Sequence, residues 1–117
     1  MAMKPDGSPS VVLVVEDELM LRMRAVDIVQ DAGFEPLEAV SADEAISILE
    51  SRNDISVLFT DIQMPGSMDG LKLAHLTHTR WPHIKIILVS GQIAVTNADL
   101  YARSEADYDD PDLAPLR

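Results

Sequence analysis

The chain has 117 residues, 47% of them apolar and 25% charged, enough for one globular domain with a single sizeable core. Twenty acids against nine bases give a formal net charge of −11, a surface that repels phosphate backbones and argues against direct nucleic-acid binding. Cysteine is absent, which excludes disulfides, thiolate metal sites and cysteine nucleophiles and fits a cytoplasmic setting. No apolar run approaches the roughly 18–20 residues of a membrane span.

Residues 1–10, MAMKPDGSPS, lack the apolar centre of a signal peptide and read as a flexible leader. Val11 to Val15 is a β-branched run without polar alternation, the pattern of a strand buried on both faces of a parallel sheet. Glu16-Asp17-Glu18 follows, then a helical stretch to about Ala32, with Leu21, Ala25, Ile28, Val29 and Ala32 on one stripe and Gly33 as its stop. Phe34 to Val40 is a weaker strand, and Pro36 assigns it to an edge. Ser41 with Glu44 forms a capping box for a helix carrying Ala42, Ala45, Ile46 and Leu49 on one face. Ile55 to Thr60 is a third strand. After Asp61 and its loop, Leu71 to about Thr79 is a helix closed by Trp81-Pro82, and Ile84 to Val89 is a fourth strand.

Strand and helix alternating at this pace predict an α/β fold with a mostly parallel sheet, ligands gathering at the carboxyl ends of the strands. Glu16 and Asp17 end the first strand, Asp61 the third and Ser90 the fourth, so four polar groups leave the sheet at one edge. Taken singly, each has a plain reading: Asp61 as a turn residue, Glu16-Asp17 as anions at a helix start, Ser90-Gly91 as turn chemistry. Taken together, they form a cluster of carboxylates that repel one another unless a cation neutralises them. Hard oxygen ligands suit Mg²⁺, and a carboxylate beside it is placed to be a nucleophile in phosphoryl transfer.

The stretches VVLVVEDE, LFTDIQMPGSMDG and ILVSGQ resemble the receiver domain of two-component response regulators, over roughly Val11 to Asn97. The resemblance implies a flavodoxin-like doubly wound sheet of order 2-1-3-4-5, with the core at residues 11–97. It assigns Asp61 as the phosphoacceptor of a sensor histidine kinase or phosphotransfer protein, and Ser90 as the switch hydroxyl. It assigns Glu16, Asp17, Asp61 and the backbone carbonyl of Gln63 to Mg²⁺. Pro65 and Gly70 would shape the loop, with Met64 and Met68 packing beside it. The implied protein is a switch rather than an enzyme, signalling to a downstream protein by contact.

Residues 98–117 depart from the pattern. Receivers carry a lysine at the end of strand five, yet no lysine follows Lys85 here, and six of the acids fall between Asp99 and Asp112. The fifth strand and helix are therefore expected to be degenerate or missing. That would leave strand four as an edge open to pairing with a second copy of the chain, a homodimer through the altered C-terminal third. The absent lysine also supports an alternative, a degenerate receiver acting only as a phosphorylation-independent interaction module. A remoter alternative, an aspartyl-nucleophile phosphatase, needs an acid two residues after Asp61, where Gln63 stands. His75 and His78 share a helix face without a third metal ligand nearby, and a solvated face is the simpler reading.

Overall fold

The valine run at the start of the chain forms the centre of the sheet. In the computed structural model, β1 (Val11–Val15) is buried at every residue and lies between β2 (Glu35–Ala39) and β3 (Ile55–Asp61), parallel to both. β4 (Lys85–Ser90) runs parallel to β3 on its other side, and a short β5 (Ile93–Thr96) completes the order β2-β1-β3-β4-β5. The structure describes residues 4, 7–64, 68–90 and 93–96, with the backbone alone at Ser90 and 93–96.

The alternation along β1 separates two cores. Val11, Leu13 and Val15 pack with Leu58, Ile86 and Leu88 beneath α2 (Ala42–Ser51) and α3 (Gly70–Arg80), which contribute Ala45, Leu49, Leu73 and Ala74. Val12, Val14 and Val57 face the other way, onto Ala25 and Val29 of α1 (Leu19–Asp31). Helices on both faces of a parallel sheet make the fold doubly wound, as expected.

Local chemistry marks the element ends where the sequence does. Ser41 Oγ accepts from the Glu44 N–H at 3.1 Å while Glu44 Oε1 accepts from the Val40 N–H at 2.8 Å, closing the start of α2 reciprocally. Gly33, at φ +90°, turns the chain out of α1 in the left-handed region. β2 pairs on one side only, which is what allows Pro36 inside it. Lys4 reaches Asp54 at 3.3 Å, tying the start of the described chain to the residue just before β3.

Two expectations need correction. The inward face of α1 runs through Arg22, Ala25, Val26 and Val29, whereas Leu21, Ile28 and Ala32 are exposed. The helix is turned so that Arg22 can point inward, where its guanidinium bonds both the backbone carbonyl of Glu16 and Glu38 Oε1 at 3.0 Å. The second concerns the edge. β5 pairs with β4 antiparallel, Ser90 opposite Ile93, and covers Ile87 to Ser90. Among the described residues the parallel part of the sheet has four strands, and along Ile87 to Ser90 β4 is not the open edge on which self-association was expected. Residues 97–117 lie outside the described residues, and the homodimer expectation falls there.

Candidate functional site

Parallel pairing aligns the strand ends. Val15 stands opposite Thr60 and Asp61 opposite Val89, so Glu16 and Asp17 leave β1 beside Asp61. One carboxylate oxygen from each of Glu16, Asp17 and Asp61 lies within 4.8 Å of the others. Glu16 is buried, Asp61 half-buried and Asp17 exposed, so the cluster opens to solvent through Asp17.

The Glu16 and Asp61 carboxylates stand on backbone held by hydrogen bonds. The Glu16 N–H donates to the Ala39 carbonyl at 3.0 Å, and its Oε2 accepts from the Glu18 N–H at 2.9 Å. Asp61 Oδ1 accepts from the Gln63 N–H at 3.2 Å. The next residue, Ile62, is held from both sides. Its N–H donates to Val89 O at 2.9 Å, and its carbonyl accepts from the Gly70 N–H at 2.8 Å. Met64 is buried and Met68 packs against the same core, as expected of the loop. Pro65 and the Ser90 side chain are outside the described residues, but the Ser90 backbone does end β4 at this edge.

The electrostatics are those of a site built for a cation. Burial pushes the Glu16 carboxyl up from 4.5 to about 7, with Asp61 and Asp17 adding to the shift and the Glu18 N–H opposing it. A divalent ion would offset that repulsion at once. Three oxygen donors at this separation, one of them open to water, fit Mg²⁺, which keeps waters and takes few carboxylates. His75 and His78 belong to no such group, and among the described residues the acids are the cluster with metal-binding geometry.

Sequence reasoning missed two arginines. Arg22 donates directly to the Glu16 carbonyl and, through Nε, to Glu38, a residue on another element that no helical periodicity indicates. Its side chain is 14% exposed against 51% for Glu38, so the bond to the carbonyl carries most of the energy. Arg22→Ala is expected to lower stability by about 2 kcal/mol, as loss of a charge-assisted hydrogen bond does, and Glu38→Ala by under about 1. Urea unfolding of both variants checks this. Arg24 lines a cavity of about 130 Å³ with Glu16 and Asp61, walled by Leu21, Ala25, Phe59 and Val89.

A parallel sheet with three acids converging at its carboxyl edge is the arrangement expected of a receiver domain. The sequence profile of the response regulator receiver domain matches residues 12–108, and the chain belongs to that family. It is 37% identical over 98 residues to the response regulator FleR of Pseudomonas aeruginosa, covering 83% of this chain and 20% of that protein. The chain thus spans about a fifth of that curated relative's length. Among solved structures it is similar to the response regulator TrrA of Thermotoga maritima in complex with Mg²⁺-BeF, at TM-score 0.64 and 32% identity, covering 69% of each chain. TrrA in complex with the histidine kinase ThkA matches with TM-score 0.63 and 32% identity, over 70% of this chain and 69% of that one. No described helix is long and apolar enough to cross a membrane.

Proposed function

We propose that the chain is the phosphoacceptor of a cytoplasmic two-component relay, modified on Asp61 by a sensor histidine kinase or a phosphotransfer protein. The observation that carries this is the convergence of the Glu16, Asp17 and Asp61 carboxylates within 4.8 Å at the ends of two adjacent parallel strands. Glu16, Asp17, Asp61 and the backbone carbonyl of Gln63 would hold Mg²⁺, which, when bound, would neutralise charge on the phosphoryl oxygens. An Asp61 carboxylate oxygen attacks the phosphorus of the partner's phosphohistidine. The phosphorus–nitrogen bond breaks, and its electron pair stays on the imidazole nitrogen, which takes up a proton. The Gln63 N–H on Asp61 Oδ1 orients the carboxylate and leaves the other oxygen for the attack. The Ser90 hydroxyl then donates to a phosphoryl oxygen and carries the change of state to a downstream protein. On this reading the working unit is 11–97, flanked by 1–10 and the acidic segment 98–117.

Beryllofluoride, a phosphoryl mimic, tests this directly. Fluorine NMR is expected to record a bound species only when Mg²⁺ is present, and Asp61→Asn abolishes it. No bound species in a sample that binds Mg²⁺ would instead favour a degenerate receiver, the reading that the absence of lysine after Lys85 supports.

A further inference from the structure

Charge balance at the cluster points to a second cation. Three carboxylates and an incoming phosphoryl group outweigh one divalent ion, and excess negative charge in a half-buried site opposes transfer. Lys85 opens β4, a strand's length from its carboxyl end, and Arg22 is committed to Glu38 and the Glu16 carbonyl.

Arg24 is placed differently. Leu21, Arg24 and Ala25, at i, i+3 and i+4 on α1, line one cavity with the acids Glu16 and Asp61. Among the described residues, Arg24 is bonded to no acid. The walls beside it come from Leu21, Ala25, Phe59 and Val89, and among the described residues the acids on this cavity are Glu16 and Asp61. A guanidinium on a long, exposed arm, at a cavity shared with the nucleophile and with no acid partner among the described residues, meets phosphoryl oxygens through its planar fork. We propose that Arg24 is a further catalytic residue of this receiver, donating hydrogen bonds to the phosphoryl oxygens during transfer to Asp61. The proposal rests on the phosphoacceptor reading above. Arg24 itself forms and breaks no covalent bond. It neutralises charge that the transferred group brings.

Its signature is a pair of effects of opposite sign. A cation near the acids competes with Mg²⁺ in the resting state and assists the anion in the transfer. In the intact chain, Arg24→Gln is therefore expected to tighten Mg²⁺ binding about threefold by calorimetry at low salt. The same variant is expected to slow phosphorylation by acetyl phosphate at saturating Mg²⁺ about tenfold, less than the roughly 10²–10³ known for removing one oxyanion-hole donor, because the metal carries part of the charge. Arg24→Lys restores Mg²⁺ affinity to the wild-type value and recovers part of the rate. A transfer rate unchanged in Arg24→Gln overturns the assignment, and so does a loss of Mg²⁺ affinity alongside the rate, which marks structural damage. If the wild-type chain takes no phosphoryl group, the phosphoacceptor reading falls and the assignment with it. An adduct in the wild type with no Arg24 effect removes only the assignment.

Discussion

Gly70→Ala is expected to destabilise the fold by about 3 kcal/mol or more, as overpacking against fixed backbone does. A Cβ at this position would stand 1.7 Å from the Asp61 carbonyl oxygen, 2.6 Å from its carbon and 2.9 Å from the Ile62 Cα. None of these is a side-chain end that can swing away. The Gly70 N–H also bonds Ile62 O, so the start of α3 is pinned to the two residues that present the Asp61 carboxylate. Relief requires α3 and the end of β3 to separate, and that displaces Asp61 from Glu16 and Asp17. Urea unfolding should register the stability loss, and calorimetry a matching loss of Mg²⁺ binding. Gly7→Ala is the control. Its Cβ meets nothing within 4 Å, so only the left-handed φ of +89° costs, about 1 kcal/mol.

Glu16 gives the second large effect, and its sign follows from proton linkage. The folded state holds the Glu16 proton up to about pH 7, while the unfolded chain releases it near 4.5. Between those values the folded state binds more protons, so its stability falls as pH rises and levels off above about 7. Glu16→Gln removes the charge and should stabilise the metal-free protein by about 2 kcal/mol at about pH 8, but by well under 1 at about pH 5. Saturating Mg²⁺ should shrink or reverse the gain, because the wild-type carboxylate then holds a cation. Urea unfolding at the two pH values, with and without Mg²⁺, measures all four states. A variant less stable than wild type at the higher pH without metal would mean that the acids are not in conflict.

Much of this site was legible in the sequence because strand ends are. A β-branched run that stops at a charged pair, as Val15 does at Glu16, fixes where the chain leaves the sheet, and parallel pairing then brings separate ends together. The capping box at Ser41 and the proline in β2 were legible for similar reasons, since each acts within a few residues. Features set by contacts between distant elements were not. Which face of α1 turns inward follows Arg22 and its reach to Glu38, sixteen positions on, and periodicity alone chose Leu21 and Ile28 instead. The antiparallel β5 escaped for a related reason. Ile93–Thr96 is too short and too close to β4 to stand out, and it acquires an identity as a strand only from the backbone groups of Ile87 to Ser90.

The most direct measurement is the intact mass of the protein after incubation with acetyl phosphate, with and without Mg²⁺, beside Asp61→Asn. A single phosphoryl adduct that needs the metal and vanishes in the variant is the predicted result. An adduct that persists in Asp61→Asn, or none in wild-type protein that binds Mg²⁺, would contradict Asp61 as the phosphoacceptor.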